Sequence, residues 1–173
     1  MGRCFLYALA ILCCALCPLA HSQPDHPYEF LDHLAGTWVL QGTIAGKPTI
    51  HDIQADWLLN REYLQIHEVS REKNSAGRPA YEAIVLVGWD PKADQYDLLW
   101  LDTTGGGGLS GRGIGHGNRT GDSIPFLIVI SPAESLHTTF KYDAKSGTWQ
   151  WLIDDETNGK TDRFADVKLT RAK

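Results

Sequence analysis

The feature that most constrains this chain is a succession of short β-prone runs that no long amphipathic helix interrupts. Runs rich in Val, Ile, Thr, Trp and Tyr, bounded by clusters of Gly, Pro, Asn or Asp, read as strands, and about ten occur by that rule. They fall near residues 38–44, 50–59, 62–69, 81–89, 96–103, 111–118, 124–130, 136–142, 148–154 and 163–170. A parallel sheet needs a crossover helix between successive strands, and no segment is long enough to supply one. The expected fold is therefore all-β: an antiparallel up-and-down barrel of about ten strands, favoured over a Greek key by the local hairpins. A short helix should precede it, because Phe30, Leu31 and Leu34 recur at helical spacing in 28–35 and Gly36 ends the pattern. A chain of 173 residues accommodates one ordinary domain, here 36–173, with 23–35 as lead-in and short helix.

The first 22 residues read as a secretory signal peptide. Arg3 supplies the positive start, 4–17 is an apolar run, and Pro18-Leu19 breaks it. Ala20 and Ser22 then place small side chains at the −3 and −1 positions of a cleavage site before Gln23. The run is shorter than the roughly 20 apolar residues a membrane-spanning helix needs. The expected product is exported, periplasmic or extracellular, with no membrane anchor after cleavage. All four cysteines (Cys4, Cys13, Cys14, Cys17) lie inside the signal. The mature chain would then have no disulfide, no thiolate nucleophile and no Cys-based zinc site. A formal net charge of −5 argues against a sequence-independent grip on nucleic-acid phosphates.

Register arithmetic on the hairpins selects inward faces. With Asn60-Arg61 as a two-residue turn, Leu59 opposes Glu62, Trp57 opposes Leu64, Ala55 opposes Ile66 and Ile53 opposes Glu68. That face is apolar, whereas the other carries Gln54, Asp56, Gln65 and His67. Glu68 and, diagonally across, His51 are carried inward with the apolar set. A turn over 143–148 likewise opposes Tyr142 to Trp149, Phe140 to Trp151 and Thr138 to Ile153, which suggests an aromatic lining. The hairpin over 81–103 stays ambiguous, because Val85, Val87, Trp89, Leu98, Trp100 and Asp102 share one face and Ile84, Leu86, Leu99 and Leu101 the other.

Few residue patterns carry chemistry. His51 with Glu68 could act as an acid/base pair, could orient a polar ligand head, or could be structural. Asp102 could serve a site or start the turn into the glycine tract 105–108. The whole glycine-rich stretch 105–117 departs from GxGxxG, since His116 stands where the third glycine should be, and it precedes a strand rather than a helix. A mobile loop at a barrel mouth is the expected role. His116 alone lacks the three or four convergent donors a metal site needs. Gly-x-Ser-x-Gly is absent. Asn118-Arg119-Thr120 forms a glycosylation sequon, relevant only in a eukaryote.

Several motifs taken together resemble a known family. Gly36-Thr37-Trp38 after a short helix resembles the Gly-x-Trp opening of lipocalins and other calycins. The order Leu34-Ala35-Gly36-Thr37-Trp38, then Trp57-Leu58-Leu59-Asn60-Arg61-Glu62-Tyr63-Leu64, Gly88-Trp89-Asp90-Pro91 with Tyr96 and Trp100-Leu101-Asp102, and finally Leu169-Thr170-Arg171, is similar to the secreted bacterial domain of unknown function fifteen-seventy-nine family. This resemblance spans 34–171 and implies a calycin-like barrel in which Trp38 and Arg171 close one end through a cation–π contact. The family's usual Gly-Gly at the first hairpin tip is Asn60-Arg61 here, and the family carries no established activity. The opening is also similar to nitrobindin-like haem barrels, whose iron ligand is a histidine of the closing strand. Residues 164–171 contain none, so no haem, and no other cofactor, is expected.

The functional expectation is an exported lipocalin-like protein, monomeric or weakly dimeric, binding a small hydrophobic or amphipathic molecule inside the barrel. Trp57, Ile53, Leu64, Ile66, Phe140, Trp149 and Trp151 would give apolar contact, and Glu68 and His51 would orient a polar end. The alternatives are an enzyme in the same barrel, with His51 as base and Glu68 as its orienter, or a protein-interaction module.

Overall fold

The computed structural model describes residues 27–104 and 111–173; the signal-like segment, the residues up to His26 and the glycine tract 105–108 lie outside the described residues. The chain opens with helix α1 (Pro27–Asp32), and ten strands follow. They are β1 (Gly36–Ile44), β2 (Lys47–Leu58), β3 (Tyr63–Ser70), β4 (Glu82–Asp90), β5 (Gln95–Asp102), β6 (Ile114–Gly117), β7 (Ser123–Ser131), β8 (Glu134–Asp143), β9 (Thr148–Thr157) and β10 (Lys160–Arg171). Each strand pairs antiparallel with its chain neighbour, and β10 returns to pair with β1, so the sheet closes into an antiparallel up-and-down barrel.

Alternation decides what faces inward. Along β2, His51, Ile53 and Ala55 are buried while Ile50, Asp52, Gln54 and Asp56 are exposed. The expected β2–β3 register is present, with Trp57 opposite Leu64, Ile53 opposite Glu68 and His51 opposite Ser70. The β8–β9 register also matches: Phe140 opposes Trp151 and Tyr142 opposes Trp149. The ambiguous hairpin resolves in favour of Val85, Val87 and Leu98, all buried. On its outer face, Leu86, Leu99 and Ile114 border an exterior hollow of about 410 Å³ beside Tyr63 and Trp89.

Three expectations need correction. The first hairpin does not turn over Asn60-Arg61 alone. The ladder ends at Leu58 opposite Tyr63, and Leu59, Asn60 and Arg61 all have left-handed backbone, φ 48°, 57° and 71°. Such conformations are costly outside Gly and Asn. Contacts of Arg61 accompany the turn, since it reaches Asp32 at 2.6 Å and lies 4.8 Å above the Trp57 ring. Secondly, the strand expected over 111–118 is only β6, because Gly111–Gly113 form a single 3-10 turn first. Thirdly, helical geometry stops at Asp32, although Leu34 N and Ala35 N still bond back to Leu31 O and bring Leu34 into the core.

The two ends of the barrel differ. At one end α1 packs across the opening, burying Phe30 and Leu31, with Phe30 5.2 Å from the Trp149 ring. The indoles there donate to the chain around α1: Trp38 Nε1 to Leu34 O at 2.7 Å and Trp149 Nε1 to His33 O at 3.2 Å. Arg171 lies 3.8 Å above the Trp38 ring and donates to Ala35 O, the contact that the family resemblance implied. Gly36 permits this approach, since it has φ +116° and a Cβ there would sit 2.3 Å from Arg171 Nη1. Among the described residues, no such helix covers the other end.

Candidate functional site

A cavity of about 860 Å³ occupies the half of the barrel away from α1. Its wall is assembled from the ends of β1, β3, β5, β7 and β9, the starts of β2, β8 and β10, and the residues just before β4. Most lining groups are apolar, among them Leu40, Trp100, Leu136, Trp151, Ile153 and Val167. Two β-bulges enlarge this apolar rim. On β7 the register shifts between Val129 and Ser131, and on β10 between Arg163 and Ala165. The extra residues, Ile130 and Phe164, both line the cavity. Bulges at a barrel rim commonly re-aim a side chain in this way.

Within this wall sits a polar cluster. His51 and Glu68 are 4% and 2% exposed, and the His51 Nδ1 is in close contact with Glu68 Oε1. The other imidazole nitrogen, Nε2, lies 2.7 Å from Thr49 Oγ1, giving a chain of hydroxyl, imidazole and carboxylate. Thr49 and His51 share a face because they are two residues apart on β2, and β3 brings Glu68 to them by register. Tyr81 stacks on His51 at 5.7 Å between centroids. Burial, then the negative charges of Glu68 and Asp102, push the Tyr81 phenol well above its ordinary range, so it stays protonated. Asp102 starts the turn, as one of the two expected roles had it, and also lines the cavity. Its Oδ1 accepts from Thr104 N at 2.7 Å, starting the turn, while Oδ2 accepts from Trp100 Nε1 at 3.1 Å inside the cavity.

The expected ligand-binding set divides between the two halves. His51, Glu68 and Trp151 line the cavity. Ile53, Leu64, Ile66, Phe140 and Trp149 face inward but do not line it; they are packed core. Trp57 belongs to the helix end, where its Nε1 donates to Asp32 Oδ1 at 2.8 Å and Tyr28 meets its ring edge-on at 5.5 Å. The physical reason is that register fixes which face a side chain takes, whereas α1 decides which end is filled. Sequence reasoning did not place Thr49, Ser70 or Tyr81 in the site. Thr49 could have been found, since it shares the inward parity of His51. Tyr81 lies just before β4, where alternation gives no guidance.

His116 points outward and its Nδ1 lies 2.7 Å from Asp97 Oδ1, away from the cavity. No group of three or more His, Cys, Asp or Glu side chains converges among the described residues. The closing strand offers Phe164, Ala165 and Val167 to the cavity, so no imidazole from it faces the space.

No protein-family model matches the chain, and no curated protein matches it significantly. Among solved structures, the fold is similar to the crystal structure of Rv2717c from M. tuberculosis, with a TM-score of 0.54. The likeness covers 84% of this chain and 97% of that one at 13% identity. At that identity the likeness establishes the barrel fold alone.

Proposed function

We propose that the protein is an exported binder that holds a small, largely apolar molecule with one polar end in the open half of its barrel. The observation that carries this reading is the cavity of about 860 Å³, apolar over most of its wall, with a buried His51–Glu68 pair inside it. Small-molecule sites typically have that combination, at roughly 300–1,000 Å³. Residues 1–22 support export, and recovery of an exported chain beginning at Gln23 would test it. The order of motifs from Leu34 to Arg171 supports membership of the fifteen-seventy-nine family as part of the same proposal.

Native mass spectrometry of the exported protein, with organic extraction of the same sample, tests binding directly. A discrete extra mass released on unfolding is expected. In parallel the apolar probe N-phenyl-1-naphthylamine should bind saturably, and Trp100→Leu should weaken it while the thermal midpoint holds. A protein that carries nothing and takes up no probe would sink the reading.

One observation favours a second reading, a small-molecule enzyme. The Thr49–His51–Glu68 chain places a carboxylate behind an imidazole and a hydroxyl in front of it, the arrangement in which His51 acts as base and Glu68 orients it. Turnover of any substrate that survives His51→Ala unchanged would dismiss it.

A further inference from the structure

We infer that the ligand's polar end is a hydrogen-bond donor, so that the cavity prefers an alkyl ammonium to a carboxylate with the same tail. This rests on the binding reading above and adds the chemistry of the head group. Glu68 is 2% exposed and lines the cavity. Its Oε1 is engaged by His51, whereas no group among the described residues bonds to Oε2. Yet no enclosed side-chain oxygen among the described residues lacks a partner, so Oε2 must border the cavity space itself. A carboxylate oxygen can only accept, and the atom that meets it must carry an N–H or O–H.

The surroundings favour a cation over a neutral donor and oppose an anion. His51 offers no competing donor, because Nδ1 faces Glu68 and Nε2 faces Thr49. Asp102 lines the same space as Glu68, so two carboxyl side chains border the cavity. Trp100 and Trp151, with ring centroids 5.3 Å apart, both line the cavity, and aromatic rings attract ammonium groups. Lys47 and Arg112 also line the cavity, but both are exposed, where water and salt weaken their fields. A fatty-acid-type head placed beside Glu68 would bring two like charges together out of water.

The test is competition against bound N-phenyl-1-naphthylamine at neutral pH with decylamine, decanol and decanoic acid, each below its micellar concentration. Decylamine should displace the probe at about a tenth of the concentration decanoate needs or less, with decanol between, as a charge-assisted bond in a dry site implies. In Glu68→Gln, checked for an unchanged fold by its melting curve, the three should converge to within about threefold. The wild-type series stands by itself if that variant does not fold. Decanoate competing as well as decylamine would overturn the inference and leave apolar binding intact. Failure of all three against a bound probe would also overturn it. A probe that never binds would instead remove the parent reading.

Discussion

The two halves of one barrel use the same ten strands to opposite ends. The helix half is filled: Trp38, Trp149, Leu34 and Leu169 are each no more than 1% exposed, and indole and guanidinium groups are tied to carbonyls around α1. The open half keeps a cavity, admits a buried ionisable pair, and carries both bulges. Strand alternation alone cannot produce this difference, because it continues through both halves. A six-residue helix and the turn that follows it produce the difference, by adding Phe30, Leu31 and Leu34 to one end. Each such side chain contributes about 1.5–3 kcal/mol when fully buried. One half thus supplies stability, and the other keeps interior space.

If the halves divide in this way, substitutions should separate stability from binding. Trp149→Ala should have the largest effect, about 3–5 kcal/mol of lost stability by chemical denaturation. Probe affinity measured well below its melting temperature should change little; a folded variant that had lost binding would show that the halves are coupled. Arg171→Met removes the contact over Trp38 and the bonds to Ala35 O and His33 O. Its cost should be about 1.5–3 kcal/mol, again with binding retained.

The open half should behave in reverse. Phe164→Ala, at a bulge residue that is 38% exposed, should cost under about 1 kcal/mol yet weaken N-phenyl-1-naphthylamine binding several-fold. Equal loss of both would erase the contrast.

Alkaline pH gives a subtler separation. The Tyr81 phenol ionises higher in the fold than in the unfolded chain, because of burial and the charges of Glu68 and Asp102. Above the ordinary tyrosine range, near 10, the unfolded chain therefore holds fewer protons than the folded one, and stability falls as pH rises. Tyr81→Phe should lessen that alkaline loss in melting curves taken from neutral to high pH. The smallest effect is expected at Asp155 on the cavity rim. Burial and then the charges of Glu134, Asp154 and Asp162 raise its carboxyl, so its ionised form opposes folding at neutral pH. Asp155→Asn should raise the melting temperature slightly at neutral pH and not at acid pH, where the carboxyl is protonated in both states.

Much of the barrel is legible in the residues one by one. Ile53, Ala55, Leu64 and Ile66 alternate with Gln54, Asp56, Gln65 and His67, so a slip of one residue would bury four polar groups. That is why the diagonal meeting of His51 with Glu68 can be anticipated from a hairpin alone. The same alternation is silent on the middle hairpin, where Ile84 and Leu86 on one face match Val85 and Val87 on the other in hydrophobicity. On the outer face, Leu86 and Leu99 border the exterior hollow beside Tyr63. Ile130 and Phe164 were unreadable for a different reason, since a bulge arises from how two strands twist past each other.

Sequence by itself determined the all-β class, the order of strands and the inward face of two hairpins, because alternation and turn residues are local properties. Only the tertiary structure decided which end is plugged, which of the inward tryptophans border empty space, and that Tyr81 stacks on His51. The first two outcomes depend on α1 and the closing pair β1–β10, which join residues more than a hundred positions apart, and the third on β3 lying between β2 and β4.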